Sequence, residues 1–385
     1  MAYPGVTINV ENGNLLRAIA VGDGLGAIVA TVATPSLIGE VRQIFGLQDA
    51  ESKGYTATAE PFMHGLLKQF YDEMGGNQRL YVFGTAETAT MTEVVTATNP
   101  LGLTKLLTVG GGNINLVAIA RKPSAGYNAG GGFLDADVSS AVLASKAICE
   151  VWQGKNSPVR LLIEGRVANE SVDNTFSPST AENGFAGVVL GGTEPDGSAA
   201  VALALARACK YGAHVKLGSG RNGALTASQI YIGTKPIEER LDVEILHDAG
   251  FITFHHRPGI AGYYFGVDKM CESGDFRILV HGRVIDKAQR IAAAAYTPYI
   301  EDFIRVEPDG TPNSTDAKHL EDILLSAIRA NMEGQISDAA VLIEPAQNMN
   351  IVGTSTLRVS VKILPLGYLT WINVTLGLTA NIQQQ

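Results

Sequence analysis

Leu357-Arg358-Val359-Ser360-Val361-Lys362-Ile363 alternates apolar and polar residues without a slip, and Leu369-Thr370-Trp371-Ile372-Asn373-Val374-Thr375-Leu376 follows almost at the chain end. The first run has the period of a strand with one buried face. Pro365-Leu366-Gly367 breaks it, because proline cannot donate to a ladder and glycine tolerates a positive φ. The second run is rich in the β-branched and aromatic residues that fit a pleated surface. Chain ends ordinarily fray. An apolar terminal strand therefore needs a sheet to complete, its own or a neighbour's.

Working outward, the opposite end repeats the pattern: Val6, Ile8 and Val10 alternate with polar residues behind Pro4-Gly5. Between the ends, strand-like and helix-like stretches alternate. Ile38 to Gly46 reads as a short helix stopped by glycine, and Pro61 to Met74 as a longer one closed by Gly75-Gly76. Arg79 to Phe83, Leu116 to Ala120, Arg160 to Glu164 and Gly187 to Gly191 read as strands. Ser139 to Gln153 and Ser198 to Tyr211 read as helices. Asn169 to Asn183 reads as an exposed loop. Gln229 to Ile232, Phe251 to Phe254 and Arg277 to Val280 are strand expectations, with a helix from Ile237 to Ala249. A long helix starts near Arg283 and must end or kink at Pro298. Asn313-Ser314 caps a last helix carrying Leu320, Ile323, Leu324, Ala327 and Ile328 on one face. This order is that of an α/β protein.

Composition narrows the function classes. A chain of 385 residues holds about two domains. Charged residues are sparse at 17 % and glycines number 43, which fits extensive buried or interface surface and not disorder. The net charge of −9 argues against nucleic acid as a partner. No apolar run reaches the ~18 residues of a membrane span, and no signal peptide precedes the first strand. Cys149, Cys209 and Cys271 have no paired spacing and read as buried thiols of a reducing compartment, hence cytoplasmic synthesis.

Few constellations offer chemistry. Gly218-Ser219-Gly220-Arg221-Asn222-Gly223 matches G-x-G-x-x-G behind a strand-like Ala213 to Leu217, and a dinucleotide-binding α/β enzyme is the alternative reading that it supports. The helix such a site requires has only Ala224 to Ser228 available, barely one turn. His255 and His256 are adjacent, with His247 and Asp248 upstream, but neighbours on a strand point to opposite faces and cannot share one ion. Asp268, Glu272 and Asp275 read as a solvated loop without a nucleophile. No catalytic residue, metal or cofactor follows from these.

Short motifs in a fixed order carry a family resemblance. Pro4-Gly5-Val6, Phe45-Gly46, and Phe70-Tyr71 followed by Gly75-Gly76 and Leu80-Tyr81-Val82 resemble the N-terminal half of contractile tail sheath proteins. Gly262 to Met270 followed by Gly282 to Ile291 is similar to the C-terminal half. The resemblance covers both ends well and the middle only by length. It implies a two-domain α/β (α+β) subunit with mixed sheets flanked by helices: an arm at 1–20, an outer domain at 21–264 and an inner domain at 265–385. It further implies a structural protein, not an enzyme, that polymerises helically around an inner tail tube and contracts to drive the tube through an envelope. Subunits of such sheaths are linked by exchanged terminal strands, which here would be Val6, Ile8 and Val10 at one end and Trp371, Ile372, Val374 and Leu376 at the other. The tube would be gripped by the Ser314–Glu333 helix through Lys318, Glu321, Asp322 and Arg329. Partners would be other copies of the chain, the tube protein, and baseplate and terminator proteins, in a virion tail or injection particle assembled in the bacterial cytoplasm.

Overall fold

The computed structural model describes residues 23–130, 132–170, 176–349, 355–375 and 377. Its first element is a six-stranded sheet formed by β1 (Gly26–Thr31), β2 (Val41–Ile44), β3 (Leu80–Thr85), β4 (Leu116–Ile119), β5 (Arg160–Glu164) and β6 (Ala186–Val189). The spatial order is β2-β3-β1-β4-β5-β6. All neighbours are parallel except β2, which runs antiparallel to β3 at the edge. Every residue of the other five strands is buried, so they read as unbroken apolar runs and not as alternation.

Helices α1 (Leu47–Ser52), α2 (Pro61–Met74), α3 (Met91–Val95), α4 (Leu103–Val109), α5 (Ala136–Gly154) and α6 (Val201–Lys210) flank this sheet. The β1-to-β3 crossover carries α2 in one direction across the sheet, whereas β3-to-β4 and β4-to-β5 run the other way with α3, α4 and α5. Right-handed crossovers place those two sets on opposite faces. The packing agrees: α2 lies on α6 over β1, and α3 lies on α5. α2 begins with Pro61 and ends at Gly75, whose φ of 70° lets its N–H reach Tyr71. Gly24 and Gly26 are needed where α6 meets β1, since a Cβ on Gly26 would stand 2.8 Å from Cys209 Sγ.

The chain then adds two short pairs, β7 (Tyr231–Ile232) with β8 (Lys235–Pro236) and, after α7 (Val243–Ala249), β9 (Phe254–Arg257) with β10 (Ile260–Phe265). A C-terminal layer follows: α8 (Leu279–Tyr296), α9 (Ser314–Met332), β11 (Ile336–Ile343) and β12 (Val359–Pro365). It has its own apolar cluster, in which Val284, Ala288 and Ile291 of α8 meet Leu324, Ile328 and Met332 of α9 and Ala339 of β11. Asn313 caps α9 as its sequence position implied, accepting from the N–H groups of Thr315 and Asp316.

Several local expectations are corrected. The stretch expected to be helical at 38–46 contains the edge strand β2, with Gly39 and Gly46 on either side of it. The six residues between Gly39 and Gly46 leave no room for two helical turns, and Ile38, Val41 and Ile44 are β-branched. The expected strand at 277–280 runs into α8, which begins at Leu279. No strand forms at 213–217, and the strand expected at 251–254 starts at Phe254, Ile252 making only a single bridge to Val189.

α8 joins this layer to the sheet through a polar seam. Arg160 at the start of β5 donates from Nε and Nη2 to the two carboxylate oxygens of Asp286, both at 2.6 Å, and from Nη1 to Gly184 O at 2.6 Å. Arg283 donates to the carbonyls of Asp23, Ala208, Tyr211 and Gly212. Arg290 donates to those of Gly112, Ile114 and Pro158. Lys287 pairs with Asp23 and reaches Gln335 Oε1 at 3.1 Å. Removing one member of a buried ion pair leaves the other uncompensated, which costs about 3–5 kcal/mol. Asp286→Ala is accordingly expected to lower stability by about that amount in urea unfolding, and the paired replacement Arg160→Met with Asp286→Leu to recover much of the loss. A loss under about 1 kcal/mol for Asp286→Ala would show that the seam does not hold the layers together.

Candidate assembly interface

In an open α/β sheet the ligand crevice lies beyond the carboxyl ends of the strands, where free N–H groups await an anion. Here the protein's own carboxylates take those donors. Glu60 accepts from the N–H of Ala33 and of Thr34, just past β1, at 2.8 and 2.6 Å. Glu164, at the end of β5, accepts from Arg121 N at 2.8 Å, just past β4, and from Ala199 N at 3.2 Å. Burial raises the Glu164 pKa although Arg166 and these two amides pull it the other way. Asp137 accepts from Met91 N at 2.7 Å and from Thr92 N at 3.1 Å where α3 begins. The crevice is thus filled from within.

The glycine loop is a connector. Residues 220–222 form one 3-10 turn, and no helix follows before β7 among the described residues. Arg207 donates to the carbonyls of Asn222, Gly223 and Ala224, and Arg257 to that of Gly218. The loop offers acceptors to arginines, the opposite polarity to a phosphate cradle. Gly218 is required by packing, because a Cβ there would lie 2.3 Å from Phe265 O. The dinucleotide reading of Gly218 to Gly223 is overturned on this geometry.

The other candidate groups have structural partners as well. His256 reaches Glu238 Oε1 at 2.7 Å and Gly262 O at 2.9 Å, while His255 lies against Tyr264. No group of three metal-ligating side chains converges among the described residues. Burial pushes the Cys209 thiol up to about 12 and raises those of Cys149 and Cys271 as well, so all three are protonated thiols and poor nucleophiles. Glu272 accepts from Phe276 N at 2.9 Å. Asp268 is not the solvated loop residue its sequence context implied: it is fully buried.

Unsatisfied surface gathers at the C-terminal layer. β11 and β12 pair antiparallel from Ile336 opposite Pro365 to Ile343 opposite Val359, in a sheet of only two strands. α9 covers one face of it. No third strand pairs with either outer edge among the described residues, and an open edge can accept a further strand. Beyond Pro365 the described residues 366–375 pair with no strand of the subunit. Trp371, Ile372 and Val374 are 87 %, 71 % and 72 % exposed, and Leu369 is 86 % exposed. Residues 369–375 of the second alternating run are therefore not a strand of this subunit's own sheet. Leu376, like Val6, Ile8 and Val10, lies outside the described residues.

On α9, Lys318 reaches Glu321 at 3.1 Å and Asp322 at 3.4 Å along the same helix face. Glu321 also accepts from Ile343 N at 2.7 Å, tying α9 to the end of β11. Of the four α9 residues singled out from sequence, Glu321 is thus committed within the subunit. The seam of α8 was missed by sequence reasoning. Its only signal was the recurrence of Arg283, Asp286, Lys287 and Arg290 at helical spacing.

Residues 275–383 match the family described as DUF2586, C-terminal domain, a span that takes in α8, α9, β11, β12 and the terminal segment. Among curated protein sequences none matches. Among solved structures, the anti-feeding prophage helical sheath in its contracted state superposes with a TM-score of 0.64 at 15 % identity, covering 99 % of this chain and 100 % of that one. A chain of the anti-feeding prophage baseplate gives 0.62 at 14 % identity, with 98 % and 99 % covered. The sheath tail protein of Desulfitobacterium hafniense gives 0.54 at 11 % identity, with 94 % and 100 % covered. Over nearly its whole length, the chain carries the fold of contractile sheath proteins.

Proposed function

We propose that this chain is a structural subunit of a contractile sheath that polymerises helically around an inner tail tube and contracts to drive that tube through an envelope. The observation that carries the reading is the pairing of an open-edged two-stranded sheet with an apolar, uncommitted terminal segment on the same subunit. Main-chain hydrogen bonds can add such a segment to a neighbour's sheet edge. The same contact repeated head to tail, without closure, generates a helical filament. The full-length likeness to sheath structures supports the reading. So does the filling of the ligand crevice, which argues for a structural role and against catalysis.

On this reading residues 1–20 form a linking arm, 21–264 the outer domain and 265–385 the inner domain. Val6, Ile8 and Val10 at one end and Trp371, Ile372, Val374 and Leu376 at the other link neighbours. Lys318, Asp322 and Arg329 face the tube, while Glu321, named with them from the sequence, is held inside the subunit by Ile343 N. Baseplate and terminator proteins meet the ends of the polymer, and the particle is put together in a bacterial cytoplasm. No helix among the described residues is long and apolar enough to cross a membrane. The work of contraction is stored in an extended lattice at assembly and released as the lattice repacks.

Two experiments test this. Each donated backbone hydrogen bond contributes about 0.5–1.5 kcal/mol, and burial of each large apolar side chain contributes about 1.5–3 kcal/mol. Val374→Pro removes a donor and strains the pairing. It is expected to abolish polymers in electron micrographs while leaving the thermal melt of the subunit unchanged, because Val374 is exposed within its own subunit. Polymers that form normally with proline at 374 would rule out this segment as the link. Reversing charge at Lys318 and Arg329 together is expected to reduce co-assembly with the tube by roughly tenfold, the effect of about 1.4 kcal/mol, and to spare self-assembly. Unchanged co-sedimentation with tube would remove α9 from that contact.

A further inference from the structure

The terminal segment leaves the subunit body at one fixed point. Tyr368 donates its hydroxyl to His214 O at 2.7 Å, and its ring stacks near that of His281, 6.2 Å between centroids. Lys216 lies over the Tyr368 ring, its Nζ 5.0 Å from the centroid, and reaches Thr370 Oγ1 at 3.5 Å. One cation therefore holds two residues of the arm root, Tyr368 by its π face and Thr370 by a long hydrogen bond.

Asp268 is tied to the start of α8 close to this contact, its backbone O accepting from Leu279 N at 2.9 Å two residues before His281; it is 0 % exposed, with neither carboxylate oxygen hydrogen-bonded. The N–H groups of Asp268 itself and of Val280 and the charge of Arg283 of α8 favour its ionised form only weakly against burial, and Arg283 spends its own donors on four carbonyls. A buried carboxylate with no partner on either oxygen is costly, and Asp268 is the exception among the buried acids of the described residues. Glu60, Asp137 and Glu164 are all bonded. Burial pushes the Asp268 pKa up to about 6 against the pull of Lys216, the largest favourable influence on it. Tyr368 is pushed up to about 12, by burial first and then by the charge of Asp268.

We propose that Lys216 is a shared cation for which the arm root and Asp268 compete, so that detachment of the arm is coupled to ion pairing between Lys216 and Asp268. While Tyr368 and Thr370 hold Lys216, Asp268 stays unpaired. When the arm leaves for a neighbouring subunit, Lys216 turns to the carboxylate and the burial cost of that charge is offset. The device rests on the reading of the arm as a link between subunits, and it makes release of the arm easier where Asp268 is ionised. Protonation of Asp268 removes the competitor and favours the docked arm. The sign for stability agrees: a carboxyl whose folded pKa is raised stabilises the fold below its unfolded value of 3.8 and loses that contribution as pH rises through about 6.

The test uses the full chain carrying Trp152→Phe, which leaves Trp371 as the sole tryptophan and a reporter on the arm. Fluorescence anisotropy of Trp371 is expected to rise reversibly as pH falls from about 7.5 to about 5, the arm becoming docked. Asp268→Asn is expected to hold the anisotropy high and flat across that range, and to raise the melting temperature at neutral pH. Lys216→Met is expected to hold it low and flat. His214 and His281 also flank Tyr368, and persistence of the pH response in Asp268→Asn would assign it to them and overturn the proposal. A docked arm in Lys216→Met, or a destabilised Asp268→Asn, would overturn it too. The assembly experiment with Val374→Pro is separate. Loss of polymers there, together with an Asp268→Asn profile like that of the parent, keeps the sheath reading and removes the latch. Normal polymers with a flat, high Asp268→Asn profile remove the link and keep the competition for Lys216.

Discussion

The bidentate pair between Arg160 and Asp286 is the interaction on which the arrangement of the two layers depends. It spans 126 residues of sequence and lies where the amino ends of β4 and β5 meet α8. Strands that start at the edge of a packed sheet leave preceding carbonyls without ladder partners, and such groups must be satisfied once buried. Arginine suits this, because its planar fork reaches several acceptors at once and keeps its charge. Arg283 and Arg290 reach seven carbonyls between them, four that precede β1, β4 and β5 and three at the C-terminal end of α6. The C-terminal layer is thereby fastened at the end of the sheet opposite the usual ligand crevice. On the sheath reading, this seam carries load between the inner and outer parts of the subunit.

The opposite end of the same sheet shows what the fold has given up. A doubly wound sheet offers helix N-termini and post-strand amides as an anion site almost by construction. Glu60, Asp137 and Glu164 occupy those donors with internal charges, and Arg121 and Arg166 balance them. The result is a polar network that is largely satisfied and closed, which adds rigidity and specifies one packing. A nucleotide could enter only by displacing these carboxylates.

Much of the fold was legible because burial on both faces writes a parallel strand as an apolar run. β3, β4, β5 and β6 were found on that signal, and α2 and α9 on their caps and periodicity. β2 was misread because a four-residue edge strand carries no period of its own. The seam was not legible, since nothing local pairs Arg160 with a residue on a helix 126 positions away. Asp268 was placed in solvent because a loop carboxylate is ordinarily solvated. The two C-terminal runs show the limit most clearly. Both have the same alternation, yet Val359–Pro365 pairs with β11 of its own subunit and the described residues of 369–376 pair with nothing there. Period sets which face is buried, and it does not name the partner.

That difference between two like segments can be argued one step further. A two-stranded ribbon is marginal in water, and this one is supported by α9 on a single face. Its exposed strand positions include Leu342, Val361 and Leu364, at 54 %, 37 % and 60 %. Natural proteins blunt such edges with charge or cover, because an open edge recruits other strands. Here Lys362 and Asp338 are the charges within the two strands, and proline ends β12. Directly beyond that proline the chain carries a highly exposed apolar stretch among the described residues, rooted at Tyr368. An isolated subunit thus holds a two-stranded sheet with open edges and an exposed apolar segment that pairs with no strand of its own among the described residues. On the sheath reading, a second copy satisfies both.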